Sequence, residues 1–169
     1  MNEPGVLRAE EARRGVRFER RFAAPVEEVW DALTNAERLA RWLAPGSIGG
    51  SGSAGSDVQL DFGEGGIVTG RVLRCEPPSV LEYEWRFAGE AESVVRFELS
   101  PDGGGTRLVL DHRALAEEHA TGYGAGWDAY LESLRDHLEG RSGSWEARFA
   151  AVLPQYRESA AALEGASLP

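Results

Sequence analysis

The sequence predicts an α+β fold: a curved antiparallel sheet wrapped around a long C-terminal helix. Two helix signals with only strand-like sequence between them carry that prediction. One is AAPVEEVWDALTNAERLARWLAP near the N-terminus, and the other is GYGAGWDAYLESLRDHLEG near the C-terminus. A lone amphipathic helix that follows a run of strands buries its apolar stripe by lying across the sheet, and the curvature leaves room for a cavity.

The elements follow in order. Residues 1–15 are polar and are expected to form a flexible segment. Residues 16–22 alternate, with Val16, Phe18, Arg20 and Phe22 on one side and Arg17, Glu19 and Arg21 on the other, as in a half-buried strand. Pro25 starts a short helix, because proline suits a first turn and Glu27 and Glu28 complement the helix dipole. Val26, Val29, Trp30 and Leu33 form its apolar stripe, and Asn35 caps a second short helix carrying Leu39, Trp42 and Leu43. The glycine- and serine-rich run 46–56 predicts a mobile loop at the cavity mouth.

Strands are predicted over 57–62, 67–75, 80–87, 93–99 and 106–113, separated by glycine, proline and asparate-glycine turn signals. GEGG at 63–66 links two strands, so it reads as a turn and not a phosphate loop. Alternation puts Val58, Leu60, Phe62, Leu81, Tyr83, Trp85, Phe87, Val95, Phe97, Leu99, Leu108, Leu110 and His112 on the inner face. Glu82, Glu84, Arg86, Arg96, Glu98, Arg107 and Asp111 fall on the wet one. Over 122–139, Tyr123, Trp127, Tyr130, Leu131, Leu134 and Leu138 recur at helical spacing, with Gly140 as C-cap. Beyond it, Trp145, Phe149 and Val152 make a stripe ended by Pro154, followed by a weaker helix with Tyr156 and Leu163. An exposed Trp/Phe stripe is unfavourable, so this tail is expected to pack on the domain or, as a homodimer contact, on a second copy.

Composition excludes some partners. The net charge is −10 and the pI about 4.8, which argues against nucleic acid or an anionic membrane. Every basic residue apart from histidine is an arginine. The single cysteine, Cys75, excludes an internal disulfide and fits a cytoplasmic setting as a structural thiol. The first residues lack the apolar stretch of a secretory signal, and no apolar run reaches the length of a membrane span.

FERRFAAPVEEVWDALTNAERLARWLAP, GRVLRCEPPSVLEYEW and GAGWDAYLESLRDHL resemble the signatures of the START-like (SRPBCC) superfamily. Within it, the sequence is most similar to bacterial relatives of the activator of the ninety-kilodalton heat-shock protein's ATPase. The resemblance covers residues 16–140 and implies a helix-grip domain there, with an apolar cavity under the last helix and residues 141–169 as a tail. Families sharing that fold carry lipids, cyclise polyketides, assist chaperones or protect antibiotic producers, and no family-wide catalytic motif carries over.

Individual residues sharpen these options. His112 ends the apolar side of its strand, where it can face the cavity and move a proton; the competing reading is a rim histidine bonded to water or backbone. Arg20 on the inner face can orient a carboxylate or phenolate, near His112 if the two strands pair; alternatively it snorkels to solvent at a strand edge. Tyr83, Trp85, Tyr123, Trp127 and Tyr130, with Phe97 and Leu110, are the candidate ligand-binding set, since aromatics offer flat contact and hydroxyls fix orientation. Ordinary core packing competes, most strongly for Trp127. His119 can help close a mouth, and His137 suits the helix C-terminus. The histidine spacing matches no metal-ligand pattern, and no cofactor motif appears. The favoured function is binding or sequestration of an apolar, aromatic or polyketide-like small molecule. The alternatives are a self-resistance, processing or cyclase/aromatase role in a secondary-metabolite pathway, and a co-chaperone-like interaction module.

Overall fold

A computed structural model describes residues 3–49 and 53–166. One antiparallel sheet of eight strands runs in the order β1-β2-β8-β7-β6-β5-β4-β3. Its members are β1 (Val6–Glu10), β2 (Arg13–Phe22), β3 (Gly46–Ile48), β4 (Asp57–Asp61), β5 (Ile67–Glu76), β6 (Val80–Phe87), β7 (Ser93–Asp102) and β8 (Gly105–Leu115). Helices α1 (Val26–Thr34) and α2 (Ala36–Trp42) follow β2, α3 (Ala120–Glu139) crosses the sheet, and α4 (Trp145–Ala166) lies against α3 and β1.

Local chemistry explains the element ends. Pro25 stands at the start of α1 with φ −68°, and Glu27 and Glu28 fill the first turn. Asn35 Oδ1 accepts from Glu37 N at 3.0 Å, satisfying an otherwise unpaired donor of α2. Gly140 ends α3 in the left-handed region at φ 69°, its N–H bonding back to the last turn.

The expected faces form. Phe18, Leu60, Leu81, Tyr83, Phe97, Leu108 and Leu110 are buried against Trp127, Leu131 and Leu134 of α3. Burying each large apolar side chain contributes about 1.5–3 kcal/mol. The outer face carries paired charges: Glu82 meets Arg96 at 3.2 Å and Arg113 at 3.1 Å, and Glu19 meets Arg107 at 2.5 Å.

Three expectations need correction. The flexible segment over residues 1–15 is instead largely strand: Val6–Glu10 pairs with Arg13–Arg17, Leu7 is buried, and Arg8 reaches Asp111 at 2.6 Å. One buried side chain on a five-residue edge strand leaves almost no periodic signal. The loop over 46–56 contains strand β3, whose Ile48 is buried. Glycine is required there, because a Cβ on Gly46 (φ +141°) would stand 2.0 Å from Gln59 O of the neighbouring strand. The centre of that loop, residues 50–52, lies outside the described residues. Finally, α4 continues through Pro154 as a single helix of 22 residues. Pro154 is exposed, and so is Ala150, whose carbonyl loses its N–H partner to the proline. Water can satisfy that carbonyl, so the helix is not forced to end.

Candidate functional site

A cleft of about 540 Å3 opens between the sheet, the first half of α3 and the start of α4. The sheet side supplies Phe62, Trp85 and Phe87; α3 supplies Tyr123, Trp127 and Tyr130; α4 supplies Trp145 and Phe149. Glu90, Glu118 and His119 stand at its rim. Two glycines of α3, Gly122 and Gly126, keep it open. A Cβ built on Gly122 meets nothing within 4 Å, and one on Gly126 meets only the Trp145 ring edge at 3.9 Å. Gly124 faces the other way, and a Cβ there would stand 2.6 Å from the Tyr156 ring. The GYGAG run therefore opens a space on one side of α3 and admits α4 on the other.

The aromatic walls are fixed by contacts within the cleft and behind it. Trp85 lies 5.5 Å from Trp127 and 5.8 Å from Phe62, centroid to centroid. Tyr130 lies 5.0 Å from Trp145, which stacks on Phe149 at 5.0 Å. Offset and edge contacts of this kind add rigidity beyond area burial. A hydrogen-bonded chain runs along the rim: Trp85 Nε1 donates to Tyr123 Oη at 2.9 Å, and Tyr123 donates to Glu90 Oε1 at 2.6 Å. His119 Nδ1 stands 3.7 Å from the other Glu90 oxygen. Burial, and next the bond to Glu90, pushes the Tyr123 hydroxyl well above its ordinary value. Burial, with the Glu146 charge behind it, pushes Tyr130 up to about 12. Both phenols are neutral donors at physiological pH. The Trp145 indole N–H is buried in this wall without a hydrogen-bond partner.

The remaining predicted residues lie elsewhere. His112 sits one layer behind the cleft, fully buried against Trp85 and Tyr123. Trp127 Nε1 donates to His112 Nδ1 at 2.9 Å, so the neutral ring carries its proton on Nε2 and donates to Ser93 Oγ at 2.7 Å. Ser93 in turn reaches Trp85 O at 3.3 Å. Burial holds the imidazole down at about 3. Both ring nitrogens are committed, and the ring is uncharged at neutral pH. Tyr83 is buried between Trp85 and Phe97, its hydroxyl unpaired and pushed strongly up by burial. Phe97 and Leu110 are core residues on neighbouring strands.

Arg20 is buried but does not approach His112. β2 and β8 do pair, yet Arg20 stands opposite Leu108, while His112 stands opposite Val16. Arg20 instead reaches Asp128 Oδ1 of α3 at 3.4 Å and bonds the Glu3 carbonyl. Asp128 Oδ2 accepts from Tyr156 at 2.5 Å, and the Tyr156 oxygen accepts from Gly5 N at 2.7 Å. His137 lies away from the cleft and accepts from Arg38 Nε at 3.1 Å. Cys75 is half-buried, with burial pushing its thiol up. Among the described residues no group of three metal-ligating side chains converges, and no helix is long and apolar enough to cross a membrane.

Trp85, Tyr123, Trp127 and Tyr130 thus reach the cleft, joined by residues the sequence did not single out as ligand contacts. Trp145 and Phe149 were visible as an apolar stripe, but nothing in the stripe says what it packs against. Glu90 and Glu118 carry no sequence signal at all.

The family described as Activator of Hsp90 ATPase homolog 1-like protein matches residues 23–139. Among solved structures, CalU16 from Micromonospora echinospora is 30% identical, with 94% of each chain covered and a TM-score of 0.76. The protein encoded by gene BPP1335 of Bordetella parapertussis is 32% identical, covering 92% of this chain and 90% of that one at a TM-score of 0.71. DynU16, from the dynemicin biosynthetic locus, is 28% identical over 74% of this chain and 47% of its own, with a TM-score of 0.66. No curated protein matches the chain.

Proposed function

The chain belongs to the Activator of Hsp90 ATPase homolog 1-like family, and from that premise we propose that it binds an aromatic, polyketide-like small molecule in the cleft between α3, α4 and the sheet. The aromatic cleft carries this reading. Its volume of about 540 Å3 falls in the range of drug-sized ligand sites, and its walls are apolar with few polar groups. Trp85, Trp127, Tyr130, Trp145 and Phe149 supply flat contact. The Tyr130 hydroxyl supplies orientation by donating to a ligand oxygen.

Binding without turnover fits the state of His112 and of the two cleft phenols. A general acid or base works best with a pKa near the operating pH and must touch its substrate. His112 meets neither condition, and the two cleft phenols are held far above neutrality. The second reading, a self-resistance or processing role in a secondary-metabolite pathway, draws support from the likeness to DynU16 and is compatible with the same cleft. Among the described residues the exposed large apolar side chains are Val6, Ile67 and Leu73, which give a co-chaperone-like role less support than the cleft gives to ligand binding.

The test is protein-observed NMR of the labelled chain against flavonoids, polycyclic polyketides and fatty acids, with the indole N–H resonances of Trp85, Trp127 and Trp145 as reporters. Flat aromatics should bind and move these three signals. Binding of fatty acids alone, or movement of other resonances only, rejects the proposal.

A further inference from the structure

The rim of the cleft narrows the ligand class. Its carboxylates are Glu90 and Glu118, and no arginine lines it among the described residues. Elsewhere several carboxylates are covered by the chain's arginines. Glu82 has Arg96 and Arg113, and Glu28 and Asp31 share Arg38. Glu90 is held by a neutral phenol and stands beside one histidine. Glu118 is exposed at the rim, with no arginine beside it in the cleft lining among the described residues. Glu146, on the first turn of α4, adds negative potential from behind Tyr130.

Resting on the small-molecule reading above, we infer that the cleft selects a flat aromatic ligand bearing a positive charge, a protonated amine or quaternary ammonium, over neutral and anionic molecules of the same shape. Electron-rich indole and phenol rings attract a cation, and partial exclusion of water strengthens that attraction. The two rim carboxylates provide the counter-charge. An anion placed there loses hydration and faces Glu90 and Glu118 with no guanidinium to offset them. The overall charge of −10 further favours encounter with cations at low ionic strength.

Three probes of one shape test this with the full chain at low salt: 2-naphthylmethylammonium, 2-naphthylmethanol and 2-naphthoate. Calorimetry gives the affinities, and the Trp85, Trp127 and Trp145 indole signals report where each probe sits. The ammonium should bind on the order of tenfold more tightly than the alcohol, and the carboxylate more weakly than either. Glu118→Gln should shrink the gap between ammonium and alcohol, and added salt should do the same. If the alcohol or carboxylate equals or exceeds the ammonium while the same indoles move, charge selection is wrong and the small-molecule site stands. If the ammonium binds without moving those indoles, it is meeting acidic surface elsewhere, and the inference fails. If no probe moves them, the site itself is wrong.

Discussion

Trp127 Nε1 on α3 donates to His112 Nδ1 on β8 at 2.9 Å, so one buried hydrogen bond ties the gripped helix to the sheet that grips it. The bond requires an unprotonated Nδ1, which makes the grip sensitive to acid. With the imidazole lowered from its ordinary 6.5 to about 3, the unfolded chain binds a proton over that interval and the folded chain does not. Stability should therefore rise with pH between about 3 and 6.5, with a slope of up to about 1.4 kcal/mol per pH unit from this residue, and level off above.

Glu82 acts in the same direction, lower on the scale. Burial pushes its carboxyl up, but the hydrogen bonds from Arg113 and Arg96 outweigh this and hold it below the usual 4.5. Its contribution is full above that value and is lost as pH falls through the lowered folded one. Urea unfolding from pH 4 to 8 should show the histidine slope in the wild type and a flatter curve for His112→Leu. An unchanged slope in that variant rejects the assignment.

Arg20, Asp128 and Tyr156 predict a second effect, on stability. Asp128→Ala strips a buried guanidinium of its carboxylate and should cost about 3–5 kcal/mol. Tyr156→Phe removes a donor to Asp128 and the acceptor for Gly5 N–H, and should cost about 1–3 kcal/mol. Arg20→Met with Asp128→Leu should cost less than Asp128→Ala alone, because no charge is then left unpaired. Chemical denaturation of the three variants measures this. A double variant as unstable as Asp128→Ala would mean that the pair is not electrostatically coupled.

How much of this was legible follows from where the information lies. Alternation along 80–87 and 93–99 specifies which side chains face inward, and the structure buries Leu81, Tyr83, Val95 and Phe97 accordingly. An inward direction does not say whether a residue meets open space or another side chain. His112 and Tyr83 point inward and are covered by Trp85, Trp127 and Phe97. The cleft owes its position to missing side chains at Gly122 and Gly126 and to the return of α4, and helical periodicity registers neither. Arg20 shows the same limit: its face was legible, but its partner depends on the β2–β8 register and on the turn of α3 opposite it.

Trp145 ties the tail to the cleft. It contacts Tyr130 and Phe149 and contributes the wall opposite the sheet. Trp145→Ala should weaken binding of an aromatic probe by about 1–3 kcal/mol while changing stability less than Asp128→Ala does, since the residue is only partly buried, at the start of its helix, and leaves no charge unpaired. Calorimetry beside thermal unfolding separates the two. Undiminished affinity would remove α4 from the site.

The three glycines of α3 offer the sharpest test, because one short run predicts three different outcomes. Gly122→Leu places a side chain in the open cleft: its Cβ meets nothing within 4 Å, and in the first turn of α3 leucine loses less backbone freedom on folding than glycine does. Stability should hold or rise while ligand affinity falls at least tenfold, as the space is occupied. Gly126→Ala makes an ordinary 3.9 Å contact with Trp145, so both quantities should change little. Gly124→Ala drives a Cβ to 2.6 Å from the Tyr156 ring, which Asp128 and Gly5 hold in place. Overpacking there should cost about 1–3 kcal/mol and loosen α4. Thermal unfolding and probe affinity on the three variants decide the matter. If Gly122→Leu binds the probe as tightly as the wild type, the ligand does not occupy the space above α3, whatever the other two variants do.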